Sequence, residues 1–157
     1  MKDTIICDLD GTLANCEHRV HHVRNKPKNW DAFYAGVKDD TVNETVLQVL
    51  ERFADGCEDP FYGIPNFNII FCSGRPERCR EDTENWLHNQ AGFPRGTYKL
   101  FMRKDGDYRA DYIVKQEIYD NQIKGTDVLF VLDDRQQVVD MWRRNGLVCF
   151  QVAEGNF

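Results

Sequence analysis

At 157 residues the chain has the length of one domain and enough residues to bury a substantial core. Hydrophobic residues make up 41% and charged residues 29%, which excludes a disordered polyelectrolyte; 26 acidic against 20 basic side chains, a formal charge of −6, exclude an all-over basic surface for holding duplex nucleic acid. Six cysteines with no CxxC pair exclude a zinc ribbon, and no apolar run approaches the roughly 18 residues of a membrane span.

The first predicted element is a strand, Thr4-Ile5-Ile6-Cys7-Asp8-Leu9. Residues 14–41 then break the pattern: they are polar, with Arg19, Arg24, Lys26, Lys28, Trp30 and Phe33 scattered through them, and are expected to form a small cap or loop insertion. A helical pattern covers Val42 to Phe53, and Gly56, Pro60, Gly63 and Pro65 mark residues 55–67 as a loop. Strand Asn68–Cys72 precedes a helix from Glu77 to Asn89, and strand Tyr98–Met102 precedes one from Asp111 to Gln122. Strand Val128–Leu132 precedes a helix from Gln136 to Asn145, which ends on Arg143-Arg144 and then Gly146, basic residues in the final turn followed by a C′ glycine. A last strand, Leu147–Phe150, closes the alternation. The strands are apolar throughout, which suits burial on both faces of a parallel sheet. The fold expected is a doubly wound, Rossmann-like α/β sheet forming a single domain over residues 1–157. Cys7, Cys72 and Cys149 fall inside apolar strands and read as small buried hydrophobes; with no signal peptide, free thiols in a reducing cytoplasm are expected rather than disulfides.

In such sheets ligands bind beyond the carboxyl ends of the strands. Those ends carry Asp8, Asp10, Gly11 and Thr12 after the first strand, Ser73, Gly74 and Arg75 after the second, and Asp133, Asp134 and Arg135 after the fourth; Lys115 lies at the start of the third long helix. A phosphate monoester asks for such groups. Its uncatalysed hydrolysis is so slow that accelerations of up to about 10²¹ are required. A carboxylate approaching the dianion meets repulsion of about 4 kcal/mol per charge pair, at about 4 Å and an effective dielectric of about 20. A divalent ion and a lysine offset that repulsion: Asp8, Asp10, Asp133 and Asp134 offer oxygen ligands suited to magnesium, while Ser73 and Lys115 can hold phosphate oxygens.

Asp8-Leu9-Asp10-Gly11-Thr12-Leu13 resembles the DxDGT[LV] signature of the haloacid dehalogenase superfamily of phosphohydrolases, and Ser73, Lys115 and Asp133-Asp134 follow in that family's order. The resemblance implies that Asp8 attacks phosphorus to form an aspartyl-phosphate, with Asp10 as general acid and then general base. It implies Mg²⁺ on Asp8, the main-chain carbonyl of Asp10 and Asp133, with Asp134 supporting the metal shell, and a phosphoryl group held by Ser73 and Lys115. A narrower resemblance, carried by Ser73-Gly74-Arg75, Asp111 to Ile118, Leu132 to Arg144 and Cys149 to Phe157, is to the phosphatase half of phage polynucleotide kinase–phosphatases. It implies removal of 3′-phosphates from DNA or RNA ends, in some members cyclic phosphates too, and a repair role in the cytoplasm of a host cell. It points to Arg75, and further to Arg19, Arg103 and Asp111, as active-site positions, beside Thr12 and Gly74 in the substrate-binding set. The chain departs from that family in lacking a GxxxxGK[ST] phosphate loop, and no kinase domain is expected where the first strand starts so near residue 1. Residues 14–41 also match the family poorly.

Plainer readings stand beside these. Asp8 and Asp10 next to Gly11 could form a solvated turn, Asp133-Asp134 an N-cap pair, and Ser73 the start of a helix; Lys115 and Arg75 could lie on the surface, and Asp111 could simply open a helix. His18, His21 and His22 lack a second ligand cluster and read as solvated rather than zinc-binding. Arg19, Arg24, Lys26 and Lys28 with Trp30 form either a phosphate-gripping, base-stacking patch or a solvated face anchored by one aromatic. Among functions, the alternative is a small-molecule nucleotidase or sugar phosphatase of the same superfamily, although the lack of room for a large second cap favours a polymer end. A signalling receiver domain would carry its paired acids after the first strand and its phosphoacceptor after a middle one, the reverse of the order here. A module that only bound ends would have no need of Asp10 beside Asp8.

Overall fold

The computed structural model describes residues 3–54 and 67–155; most of the loop expected at 55–67, Cys57, and the C-terminal Asn156-Phe157 lie outside the described residues. In chain order the elements are β1 (Thr4–Cys7), β2 (Ala14–Asn15), α1 (Glu17–Arg24), α2 (Trp30–Ala35), β3 (Thr41–Val42), α3 (Glu44–Ala54), β4 (Asn68–Pro76), α4 (Arg80–Asn89), β5 (Tyr98–Arg103), α5 (Asp111–Ile118), β6 (Val128–Asp133), α6 (Gln136–Arg144) and β7 (Cys149–Gln151). Five of the strands form one sheet in the order β5-β4-β1-β6-β7, with each neighbouring pair parallel.

The alternation of side chains along β1 shows why both faces must be covered. Ile5 and Cys7 point to one side, where they pack with Ile69 and Phe71 of β4, Val46 and Leu50 of α3, and Trp86 and Leu87 of α4. Ile6 points to the other side and meets Ile70, Cys72 and Val131, closed over by Val138, Val139, Met141 and Trp142 of α6. The result is a doubly wound α/β sandwich. α6 ends as its sequence indicates: Gly146 takes φ 80°, its N–H bonds Arg143 O at 2.9 Å, and the N–H of Leu147 bonds Trp142 O at 3.2 Å, a Schellman closure. Cys7, Cys16, Cys72, Cys79 and Cys149 are buried free thiols. Among the described residues no helix is long and apolar enough to cross a membrane.

The strand order places the chemistry. From β1 the chain moves outward through β4 to β5, then returns to the opposite side of β1 with β6 and β7. β1 and β6 therefore flank the point where the winding reverses, and their carboxyl ends open a crevice there.

Residues 14–41, expected as a small cap or loop insertion, have more structure than their polarity suggests. β2 and β3 pair antiparallel at the base, Ala14 with Val42 and Asn15 with Thr41. Above them α1 and α2 close on a small apolar cluster of Cys16, Val20, Val23 and Phe33. Asn29 caps α2, its Oδ1 accepting from Ala32 N at 3.0 Å. Two short helices sharing one narrow apolar seam need few hydrophobic residues, so the composition reads as loop.

Candidate active site

Asp8 leaves β1 at its carboxyl end, fixed by its own N–H bonded to Leu132 O on β6 at 2.9 Å. The turn behind it holds Gly11 at φ 85°, a conformation that L side chains rarely adopt, and lets Thr12 Oγ1 donate to Asp134 Oδ1 at 3.4 Å. Asp133 ends β6, one strand over. The carboxylates of Asp8, Asp133 and Asp134, all buried, lie within 4.8 Å of one another.

Lys115 stands at the middle of this group. Its side chain is fully buried, on α5, and its ammonium lies 2.9 Å from Asp8 Oδ1, 3.0 Å from Asp133 Oδ2 and 3.6 Å from Asp111 Oδ2. Trp142 Nε1 donates to the same Asp133 oxygen at 3.2 Å. Burial drives the Asp8 carboxyl well above the ordinary carboxylate range; Lys115 opposes that, while Asp133 and Asp134 add to it. Burial likewise pushes Asp134 up, to about 6, with Asp133 reinforcing it. Burial would lower Lys115, but Asp133, Asp8 and Asp111 hold its ammonium form strongly.

Asp134 Oδ2 is buried without a hydrogen-bond partner. An orphaned carboxylate oxygen, in a cluster of three acids countered by one lysine, is short of positive charge and fits a divalent cation. The side chain of Asp10 lies apart from this group, among arginines, so any share it has in holding a metal falls to its main chain.

Ser73, Gly74 and Arg75 do not follow β4 but belong to it. Ser73 pairs with Met102 and Pro76 with the next residue, Arg103, so Gly74 and Arg75 are extra on their strand and bulge out of the ladder. The bulge turns Arg75 into the site, where it is completely buried. A Cβ on Gly74 would collide with Asp111 Oδ1, so a side chain here would displace the Asp111 carboxylate. Ser73 Oγ accepts from Arg75 N at 3.3 Å.

Asp10 is held by two guanidinium groups. Arg75 Nε donates to its Oδ1 at 2.9 Å, and Nη2 of both Arg75 and Arg19 reach the same oxygen. Burial alone would raise this carboxyl; the two arginines overcome it and lower it to about 2. Arg19, from α1, is buried, its guanidinium 4.2 Å from the centre of the Phe33 ring. The basic segment is therefore not one surface patch. Arg19 points inward, while Arg24 pairs with Glu17 at 3.2 Å and Lys28 lies over Trp30.

Sequence reasoning missed the residue that completes this second cluster. Asp40, buried, accepts from Arg19 Nε at 2.7 Å through Oδ1, and from Arg19 Nη2 at 2.6 Å and Arg75 Nη2 at 2.8 Å through Oδ2. His18 Nε2 is 2.9 Å from Oδ1, which takes this histidine away from His21 and His22, whose rings meet each other. Two arginines and two carboxylates thus balance one another.

Arg103 occupies a different place from the other expected site residues. It braces the loop after β5, donating to the carbonyls of Gly74 at 2.8 Å, Asp107 at 3.0 Å and Arg109 at 2.7 Å, and reaches the cluster only through Asp111 at 3.2 Å. Asp111 both opens α5, as the plainer reading had it, and faces Lys115 and Arg103. Neither Lys115 nor Arg75 lies on the surface, and Ser73 does not start a helix.

The family model for the polynucleotide kinase PNKP phosphatase domain matches residues 2–157. A putative bifunctional polynucleotide kinase/RNA ligase of Autographa californica nuclear polyhedrosis virus is 34% identical over 140 residues, 88% of this chain and 17% of that protein. Among solved structures, a chain of the Pnkp1/Rnl/Hen1 complex superposes with a TM-score of 0.77 at 37% identity, covering 100% of this chain and 48% of that one. A haloacid dehalogenase-like hydrolase from Streptococcus pneumoniae shares the fold, with a TM-score of 0.62 at 12% identity over 95% of this chain and 83% of that one. The chain spans less than half the length of the first two of these relatives.

Proposed function

The chain belongs to the polynucleotide kinase PNKP phosphatase-domain family and is a phosphatase of the haloacid dehalogenase fold; from that premise we propose that it removes 3′-phosphates from nucleic-acid ends through an aspartyl-phosphate on Asp8, with Mg²⁺ as its cofactor. The observation that carries the mechanism is the pairing of Asp8 with Lys115 at 2.9 Å, in one buried group with Asp133 and Asp134. The substrate reading is supported by the family and by the polynucleotide kinase/RNA ligase relative.

Asp8, Asp133, Asp134 and the carbonyl of Asp10 would hold the magnesium ion. When bound, it would neutralise phosphate charge and orient the phosphoryl group against Asp8. Lys115 and Ser73 take phosphoryl oxygens as charge moves onto them, with the backbone beside Thr12 and Gly74 shaping the rest of the cradle. A carboxylate oxygen of Asp8 attacks phosphorus, the bond from phosphorus to the 3′ oxygen breaks, and that oxygen takes a proton from Asp10. Water then attacks the aspartyl-phosphate, giving its proton to Asp10 and releasing phosphate and the free Asp8 carboxylate.

Asp10, held at about 2 by its arginines, is built for the second half as it stands. The first half requires that hold to loosen. A phosphate dianion competes with Asp10 for Arg75 and Arg19, and as the guanidinium groups turn to it the Asp10 carboxyl rises towards a range in which it can carry a proton. The α1–α2 insertion, which supplies Arg19 and Asp40, acts in this reading as a small cap.

Phosphate release from a 3′-phosphorylated oligonucleotide, with Mg²⁺ and with EDTA, tests the reading against a 5′-phosphorylated oligonucleotide of the same sequence. Magnesium-dependent release from the 3′ end alone is expected. Equal release from both ends, or faster release from a small sugar phosphate, would move the substrate to the nucleotidase or sugar-phosphatase class and leave the catalytic assignments intact.

A further inference from the structure

Beside the phosphoryl site runs a second concavity, about 700 Å³ in volume, between α2 and the loop joining β5 to α5. Asp111 lines it and lies 3.6 Å from Lys115, so cleft and reaction centre share a wall. Its charge is opposite to that of the whole chain. Six cations face it, Lys28, Arg78, Arg103, Lys104, Arg109 and Arg135, against three carboxylates, Asp31, Asp107 and Asp111, in a protein of net charge −6. Local reversal of this kind draws a polyanion to one place without making the surface sticky for duplexes.

The cleft is also aromatic. Trp30 and Tyr34 stack at 5.8 Å and 23°, with Lys28 over Trp30 and Arg78 over Tyr34. Tyr108 lines the same cleft from the β5–α5 loop, which is itself braced, and leaves 87% of its surface exposed. Arg103 ties that loop down through two of its carbonyls, those of Asp107 and Arg109, and Arg109 is fixed at 2.6 Å to both Asp107 and Glu117. A large ring held out on a braced loop, in a cleft lined by cations, meets the requirements of a stacking platform for unpaired bases. A duplex offers no free base face except at its terminus.

We propose that this cleft seats the single-stranded nucleotides immediately 5′ of the phosphorylated end, with the penultimate base stacked on Tyr108 and its phosphate set against Arg78 and Lys104. The inference rests on the 3′-end reading above and narrows it, from any phosphorylated end to one with an unpaired strand behind it.

The test measures KM for phosphate release from single-stranded thymidylates of one, two, three and six nucleotides, each with a 3′-phosphate, and from a longer 3′-phosphorylated strand of mixed sequence annealed as a stable blunt duplex. Wild-type KM is expected to fall about ten-fold between the mononucleotide and the trimer and then to level off, as one stacked base provides. The blunt duplex should behave like the mononucleotide. Tyr108→Ala should shrink the gain with length to within about two-fold, and Lys104→Glu, another exposed position on the loop, should reduce it too. A KM independent of length in the wild type, or variants that keep the full gain, would overturn the cleft while leaving 3′-phosphatase activity standing. Loss of mononucleotide and trimer hydrolysis together in Tyr108→Ala would place the ring at the reaction centre and equally overturn it. No release from any of these substrates, with release from a 5′-phosphate, would remove the 3′-end reading and this inference with it.

Discussion

Asp8 and Asp10 are two residues apart and carry the same side chain, Asp8 buried and Asp10 largely so, yet their surroundings drive them in opposite directions. Around Asp8, burial dominates and the carboxyl is pushed well up, because one lysine must serve it together with Asp133 and Asp134. Around Asp10, the same burial is overcome by Arg75 and Arg19 and the carboxyl falls to about 2. The difference lies in the ratio of cations to acids: three clustered carboxylates share Lys115, whereas Asp10 and Asp40 share two arginines. The first cluster is left wanting a cation and the second is already balanced. Pairs of acids separated in this way by their environments are how one site keeps one group for attack and another for moving protons.

The largest effect on that division should come from Asp8→Asn. Turnover should fall on the order of 10⁴-fold or more, since no other group offers a nucleophile at that position. The fold should survive: removing one acid from a crowded buried cluster relieves like-charge repulsion, so the melting temperature without metal should hold or rise. Phosphate release and a thermal melt on the same preparation read both. An active Asp8→Asn enzyme would end the covalent mechanism, and a collapsed one would mean that Asp8 carries the fold.

The second cluster breaks more gently. Asp40→Asn keeps the shape but removes the countercharge, so Arg19 and Arg75 are left to Asp10 alone and hold it more tightly. We expect kcat to fall about ten- to a hundred-fold, a part of the roughly 10²–10⁴-fold that a positioned proton transfer is worth, with KM changing less. Asp40→Ala strips the hydrogen bonds as well and should cost stability of about 3–5 kcal/mol, as breaking one side of a buried ion pair does. If Asp40 only supports the insertion, Asp40→Asn will lower the melting temperature without lowering kcat. The split between those two readouts decides whether Asp40 positions the arginines for the reaction.

The two clusters also differ in how far the sequence reveals them. Asp8 and Asp133 sit at the ends of apolar strands and Ser73 directly after the apolar run of β4, where period and burial are visible in a linear reading, and Lys115 follows on a helix of ordinary pattern. The sheet, its order of helices and even the closure at Gly146 were legible for the same reason: local rules and tertiary packing agree there. The arginine cluster depends on packing that no local pattern carries. Asp40 is one of two adjacent acids in a polar stretch, and it is chosen over Asp39 because Trp86 Nε1, on α4, fixes its carbonyl at 2.7 Å. Arg75 turns inward because of a bulge, which places two residues against none on the neighbouring strand. Arg19 entered the active-site set through family resemblance, since its polar surroundings left open a phosphate-gripping patch and a solvated face alike.

A subtler difference lies in how each cluster answers to protons and metal. The Asp134 carboxyl, at about 6 in the folded chain against an ordinary 3.8, binds its proton more tightly when folded than when unfolded. Stability supplied by that protonated form is fully present below about 3.8 and is lost as pH rises through about 6, so the metal-free protein should melt lower at about pH 7.5 than at about pH 5. Asp10 moves the other way, but its window ends near the ordinary carboxylate range and adds nothing to this difference. A divalent ion binding at Asp134 must displace the proton, so its apparent affinity should weaken by up to about ten-fold per pH unit below about 6. Melting temperatures with MgCl₂ and with EDTA should therefore separate more at about pH 7.5 than at about pH 5. Asp134→Asn should reduce the metal-free dependence, leaving the part that the raised Asp8 carboxyl contributes in the same direction, and should shrink the separation. A separation that is the same at both pH values would mean that metal binds away from Asp134, and that its unpartnered oxygen is not a ligand position.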